Sequence, residues 1–266
     1  MSRFCAACDR GDGSYEVRPL EQTEAAWVTE YYGEDYLRLY QYPDERTNPE
    51  VEFVAGVLAE RIAPGGLVLD LACGHGRHAI PLAARGYRIV GLDYQLHLLQ
   101  KAKETAGGGV FFVRGDMRRL PFPETFDAVV NLFTAFGYFS DEENAGILRE
   151  IARVLRPGGW LVLDVANRDA LIRTAQPRSW KRLPDGSLLI SEWTWDVATG
   201  RYTHWQLLLG ERERRSFTHS VRVYTCTELT ALLRDAGFTV VARHGGFNGE
   251  ALALDAPRLI TIARKQ

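Results

Sequence analysis

Three acidic residues, each placed where an apolar run ends, are the first chemistry this sequence offers. The stretch Val68-Leu69-Asp70-Leu71-Ala72-Cys73-Gly74-His75-Gly76-Arg77 sets a carboxylate inside a strand-like run, with a Gly-x-Gly turn directly behind it. Glycines there permit positive φ and let a ligand approach the backbone. A helix after such a turn offers free N–H groups at its start. The spacing alone is ambiguous, because Gly74-x-Gly76-x-x-Ala79 also satisfies the dinucleotide fingerprint. Asp93, 19 residues beyond Gly74, would bind a ribose diol in either case. Asp70, four residues before Gly74, would repel a pyrophosphate but attract a cationic amino-acid ligand. Arg114-Gly115-Asp116-Met117 adds an acid able to accept a hydrogen bond from an adenine amino group, with Met117 packed on the ring.

Residues so far apart in the chain converge only if strand tips are brought to one edge. Short apolar runs at 67–72, 87–93, 110–114, 126–131 and 160–165 read as strands, and 75–84, 95–105 and 142–155 as helices. In the third helix, Ile147, Leu148, Ile151, Val154 and Leu155 share one face, and Arg156-Pro157-Gly158-Gly159 breaks it. This alternation predicts an α/β, doubly wound, mostly parallel sheet. Residues 238–244 and 258–263, joined by a loop, add an antiparallel pair and make seven strands. A helix ahead of that pair is expected to be capped by Thr227 and closed by Gly237. The interval after the fifth strand is far longer than a usual connection. Runs at 188–195, 201–209 and 215–225, the first two flanking a turn at 196–200, predict a three-stranded antiparallel meander. Ahead of the core, 22–42 reads as helix in two pieces broken at Gly33, and Asn48-Pro49-Glu50 as the start of another. The expected organisation is a helical cap at 1–60, a ligand-binding domain at 61–170 and 226–266, and an inserted β lid or interface at 171–225.

With these motifs in place, the chain resembles the class I S-adenosylmethionine-dependent methyltransferases, strongly over 64–165 and more loosely at the last strand pair. Within them it is similar to the small-molecule branch around glycine/sarcosine and amino-sugar N-methyltransferases. The resemblance implies S-adenosyl-L-methionine as cofactor and a Rossmann-like fold. It implies that Asp70, Ala72, Cys73, Gly74 and Gly76 form the glycine turn, that Asp93 holds both ribose hydroxyls with Tyr94 beside the adenine, and that Asp116 and Met117 are the adenine pair. Asn131 and Leu132 would line the methionine part, and Phe133 would face the substrate. Members of this branch often close tyrosines and an arginine over the cofactor. Tyr32, Tyr36 and Arg46 suit that role, Arg46 by forking onto the carboxylate and a tyrosine by facing the sulfonium, or the tyrosines simply pack a helix on the sheet.

Phe133, Phe136 and Tyr138 are expected to floor an acceptor pocket, with Tyr138 as the polar contact; no general base is assigned. Trp205 is expected to share an inward face with Leu207 and Leu209 while His204 points away, and Arg168 could hold an acidic acceptor or pair on the surface. The meander would be a lid, a homodimer interface, or both. A nicotinamide-dependent oxidoreductase, a non-catalytic S-adenosylmethionine-binding protein, and an enzyme using the same cofactor for another transfer are the competing readings.

Composition bounds the rest. A formal charge of −2, and no proline–aromatic motif after the fourth strand, argue against a nucleic-acid partner. No apolar run approaches the length that spans a bilayer, and no signal-like segment opens the sequence. Cys5 and Cys8 form a lone C-x-x-C without a second pair, so no metal is expected and the cytoplasm is the expected compartment.

Overall fold

The computed structural model describes residues 8–9, 15–16, 32–33, 36–40, 43–211 and 214–266. Cys5 and most of the helix expected at 22–42 lie outside the described residues. Two short strands, β1 (Cys8–Asp9) and β2 (Tyr15–Glu16), pair antiparallel. A single turn of helix, α1 (Tyr36–Leu39), precedes the sixteen-residue α2 (Asp44–Ala59). Helix α2 begins four residues ahead of the expected Asn48, with Pro43 at the N-cap and Pro49 inside. Pro49 forfeits one helical N–H bond, but the buried stripe Val51, Val54 and Leu58 carries the helix through.

The parallel unit runs β3 (Leu67–Leu71), α3 (Ala79–Ala84), β4 (Arg88–Asp93), α4 (Leu96–Thr105), β5 (Val110–Arg114), β6 (Phe126–Asn131), α5 (Asp141–Val154) and β7 (Leu155–Ala166). Helix α3 starts at Ala79 rather than 75, because Gly74 and Gly76 hold φ values of 55° and 80° that no helix contains. Helix α5 is fixed at its start by a capping box: Ser140 accepts from the Glu143 N–H, and Glu143 reaches back to Ser140.

After α6 (Arg168–Thr174) the insertion forms four strands rather than three: β8 (Arg178–Arg182), β9 (Leu188–Asp196), β10 (Arg201–Leu209) and β11 (Arg214–Arg222). They lie in the order β11-β10-β9-β8, all antiparallel. Strand β8 escapes sequence reading because all five of its residues are exposed and leave no apolar alternation. Helix α7 (Cys226–Asp235) is capped by Thr225, not Thr227; Thr225 and Glu228 form a second reciprocal box. Strands β12 (Phe238–His244) and β13 (Arg258–Lys265) close the chain as an antiparallel pair.

The main sheet has the order β1-β2-β5-β4-β3-β6-β7-β13-β12. Strands β3 to β7 are parallel to one another, β13 runs antiparallel to β7, and β1-β2 extend the expected seven strands at one edge. Both faces are covered, so β3 is apolar on both sides: Val68 packs towards Val54, Ala79 and Leu82, while Leu69 and Leu71 pack towards Ile147, Leu148 and Leu229. This layering carries the C-terminal tips of β3, β4, β5 and β6 to one edge, where crevices in open α/β sheets form.

Candidate active site

A cavity of about 370 Å³ opens at that edge, walled by the strand tips on one side and by α1, the chain before it and the inserted sheet on the other. Asp70 is 2% exposed and lines it. Its Oδ2 has no hydrogen-bond partner among the described residues. Burial pushes its carboxyl up to about 7, against the pull of the Arg77 guanidinium. A buried acceptor left without a donor costs about 1–3 kcal/mol, and a cationic ligand group at this wall would remove that cost.

Just past β3, Ala72 takes φ 62°, and the Cys73 N–H crosses to the Leu92 carbonyl at 3.1 Å, lashing the turn to β4. Cys73 is a free thiol, raised well above its ordinary pKa by burial and so kept protonated. The Gly74 N–H donates to Asp93 Oδ2 at 2.7 Å, and the Gln95 N–H to Asp93 Oδ1 at 2.8 Å. Burial raises the Asp93 carboxyl and these backbone donors oppose it. Each oxygen keeps a further lone pair, enough for a vicinal diol.

Beyond Asp93 the wall is Tyr94, Gln95, Leu98, Asp116 and Met117. Asp116 is held by Arg118, whose Nε and Nη2 reach Oδ2 at 3.0 and 2.9 Å while its backbone N–H takes Oδ1 at 2.8 Å. Arg118 is in turn anchored on Glu143 at the start of α5, at 2.8 Å. An acid fixed on a wall that also carries a tyrosine, a leucine and a methionine suits a flat, amino-bearing base.

After β6 the backbone turns through two more left-handed residues, Phe133 (φ 62°) and Thr134 (φ 60°). Such backbone persists only where surrounding bonds determine it. Here the Phe133 N–H donates to Asp164 Oδ2 at 2.7 Å, and Arg258 holds both Asp164 oxygens, at 2.7 and 2.6 Å. The Phe133 ring sits among three guanidiniums, with Arg46, Arg77 and Arg258 at 4.9, 4.7 and 5.8 Å from its centroid. Arg77 and His78 converge on buried Glu50, His78 at 2.7 Å. Burial would raise Glu50, but these partners outweigh it and hold its carboxyl below the ordinary value. Arg46 lies looser, 3.8 Å from Glu50 with half its side chain exposed.

The opposite wall is aromatic. Tyr32, Tyr36 and Tyr40 follow one another at 4.9 and 5.2 Å between ring centroids, and the Tyr32 and Tyr138 hydroxyls are hydrogen-bonded. From the inserted sheet come Trp193, Tyr202, His204, His219 and Val221. That sheet is docked on the loop after β6: the Arg222 N–H donates to the Gly137 carbonyl at 2.8 Å, and Arg201 donates to the carbonyls of Tyr138 and Phe139, both at 3.0 Å.

Of the residues expected from sequence, Tyr32, Arg46, Asp70, Ala72, Cys73, Gly74, Asp93, Tyr94, Asp116, Met117, Leu132, Phe133 and Tyr138 all line this one cavity. Five do not. Gly76 packs where a Cβ would meet Ile80, Ala102 and Phe112 at 3.1–3.2 Å, so it serves helix-to-strand packing. Asn131 is buried and donates to the Leu71 carbonyl at 2.9 Å, bracing the tips of β3 and β6. Phe136 is buried in the core, its ring 5.6 Å from Tyr224. Arg168 turns onto Trp195, at 5.7 Å. Trp205 faces away, since His204, Gln206 and Leu208 are the buried positions of β10. On β10 the inward positions mix His204 and Gln206 with Leu208, while Leu207 and Leu209 point the other way.

Sequence reasoning missed Arg77, Arg118, Arg258, Tyr202 and the pair His204 and His219. Arg77 and Arg118 each follow a recognised motif by one residue; the others come from distant strands and carry no local signal. Among the described residues no group of three or more His, Cys, Asp or Glu is placed to hold a metal, and no helix is long and apolar enough to cross a membrane.

The model of the methyltransferase domain family matches residues 68–159. An uncharacterized methyltransferase of Synechocystis sp. is 30% identical over 183 residues, covering 69% of this chain and 71% of its own. The cypemycin N-terminal methyltransferase of Streptomyces sp. is 29% identical over 241 residues, covering 88% of this chain and 98% of its own. An amino pentose methyltransferase of Micromonospora echinaspora, solved with S-adenosylmethionine bound, shares the fold with a TM-score of 0.64 at 23% identity, over 83% of this chain and 92% of that one.

Proposed function

This chain belongs to the class I S-adenosylmethionine-dependent methyltransferases, and from that premise we propose that it methylates an amine nitrogen or a hydroxyl oxygen of a small-molecule acceptor. When bound, S-adenosylmethionine supplies a methyl group on a positively charged sulfur, open to in-line displacement by such a nucleophile. Asp70 takes the cationic amino group, Arg46 the carboxylate, and Asp93 the ribose hydroxyls. Ala72, Cys73 and Gly74 bring backbone against the nucleoside. Tyr94, Asp116 and Met117 hold the adenine, and Leu132 and Phe133 flank the amino-acid arm. Tyr32 turns its ring to the sulfonium, and Tyr138 faces the acceptor. The chain's share of catalysis is positional. Holding nucleophile and methyl carbon in line in a closed chamber lowers the barrier by about 7–11 kcal/mol.

The observation that carries this reading is the buried, partnerless Oδ2 of Asp70 on the wall shared with Asp93 and Asp116. An anionic pyrophosphate is disfavoured there, which argues against the nicotinamide alternative. The names of two similar proteins, an N-terminal methyltransferase and an amino pentose methyltransferase, favour an amine over a hydroxyl. The outer face of the inserted sheet, with Trp180 71% exposed, supports a homodimer, and the cytoplasm is the proposed compartment. Incubating the protein with methyl-labelled S-adenosylmethionine and a fractionated metabolite extract tests the function. The labelled methyl should appear on an amine or hydroxyl metabolite; labelled cofactor that binds yet never reacts across the fractions would favour a non-catalytic protein.

A further inference from the structure

One polar side chain on the cavity wall has no task in the methyl-transfer scheme. His204 is 2% exposed and lines the cavity from β10. Its ring lies parallel to the Trp193 indole, with centroids 3.2 Å apart and planes 9° from coplanar, and Tyr202 stacks on the same indole at 4.5 Å. His219, the register partner of His204 on β11, meets it edge-on at 5.3 Å. Neither ring nitrogen of His204 has a hydrogen-bond partner among the described residues. Gln206, two residues on along the same face of β10, is occupied: it accepts from Tyr40 at 2.6 Å and donates to Ser191 at 3.4 Å. A neutral imidazole carries one donor and one acceptor, and buried polar groups are ordinarily satisfied. Both sites here are left unpartnered on a residue that lines a chamber.

The wall is also uncharged. Burial, reinforced by His219, holds His204 down at about 2, and burial holds His219 at about 3, so neither ring is protonated near neutral pH. Trp193, Tyr202, Val221 and Val223 complete this side without a charge. The guanidiniums that line the cavity, Arg46, Arg77, Arg258 and Arg118, all come from outside the inserted sheet and are engaged around Phe133 or with Glu50, Asp164 and Asp116. A charged group entering against the lid would lose its water without gaining a counter-charge.

We propose that the aromatic wall of Trp193, Tyr202 and His204 receives an uncharged, ring-bearing part of the acceptor, and that His204 fixes its orientation by accepting a hydrogen bond from an N–H or O–H on that ring. The inference rests on the methyl-transfer reading of the same cavity and names its acceptor class. Stacking sets the plane of the guest, and one directional bond sets its rotation within that plane. An amine acceptor bound at this wall enters as the free base.

The test uses the full chain saturated with S-adenosylhomocysteine and four probes: phenol, aniline, benzoate and benzylammonium. Calorimetry should give saturable binding of phenol and aniline, with benzoate and benzylammonium at least tenfold weaker. His204→Phe keeps the stacked ring and removes both nitrogens. It should weaken phenol about tenfold, the loss of one buried hydrogen bond, while leaving S-adenosylhomocysteine affinity unchanged. In the unaltered chain, ¹⁵N NMR of the histidine side chains should show a His204 nitrogen shifting on phenol addition, which serves even if the variant fails to fold. No saturable phenol binding, equal affinity for phenol and benzoate, or no response at His204 overturns the inference. Failure of S-adenosylhomocysteine itself to bind would instead strike the methyl-transfer reading, and phenol titration of the cofactor-free chain would still decide the role of the wall.

Discussion

Asp70→Asn should make the cofactor-free protein more stable at alkaline pH while weakening its hold on the cofactor. The Asp70 carboxyl moves from an ordinary 3.8 to about 7 in the fold, chiefly through burial. Its folded-state value lies above its unfolded one, so the native protein binds the proton more tightly and ionisation opposes folding. The opposition is absent below about pH 4, grows as pH rises towards 7, and is constant above. At about 1.4 kcal/mol per pH unit the full effect is about 4 kcal/mol, of which about 2.5 kcal/mol develops between pH 5 and pH 8. Asparagine is nearly isosteric and does not titrate. In urea unfolding without cofactor, the variant's stability relative to the parent should therefore rise by about 2.5 kcal/mol from pH 5 to pH 8. Calorimetry on the same preparations should show S-adenosylmethionine affinity reduced at least tenfold, the loss of a buried charge-assisted bond. A stability difference that does not change with pH would refute the burial argument. Undiminished cofactor affinity would refute the role given to Asp70.

Arg46→Ala should weaken S-adenosylmethionine about tenfold but leave adenosine affinity unchanged, read by competition calorimetry, since only the former carries the carboxylate. Thr225→Ala should cost about 1 kcal/mol in urea unfolding by removing the side-chain half of the α7 capping box. Gly137→Ala should loosen the inserted sheet, because Gly137 holds φ 108° and a Cβ there would stand 2.3 Å from the Arg222 carbonyl oxygen. Limited proteolysis should then cut within 175–225 first, and the unaltered chain should resist at the same dose.

The strand tips were legible because each of their residues answers to a local rule. Asp70 and Gly74 sit where a buried parallel strand must turn, and Asp93 and Asp116 end their own apolar runs. Asn131 shows the limit of such rules: it ends β6 as expected, yet spends its amide on the Leu71 carbonyl. The inserted sheet is less legible, for a physical reason. On β10, Leu207 and Leu209 point outward while His204 and Gln206 point inward, so a pattern that equates apolar with inward assigns that strand's faces backwards. Strand β8, exposed at every residue, has no pattern to read. The cap of α7 lies two residues ahead of the expected Thr227, at Thr225-x-x-Glu228, itself a capping-box signature.

The account stands on a cationic nucleoside seated across the tips of β3, β4 and β5. A crystal structure of the full chain with S-adenosylmethionine tests this most directly. The expected result is the amino group within hydrogen-bond distance of Asp70 Oδ2, the ribose on Asp93, and the methyl directed into the chamber walled by Tyr138 and His204. An amino group turned away from Asp70, or a methyl pointing to solvent, would contradict it.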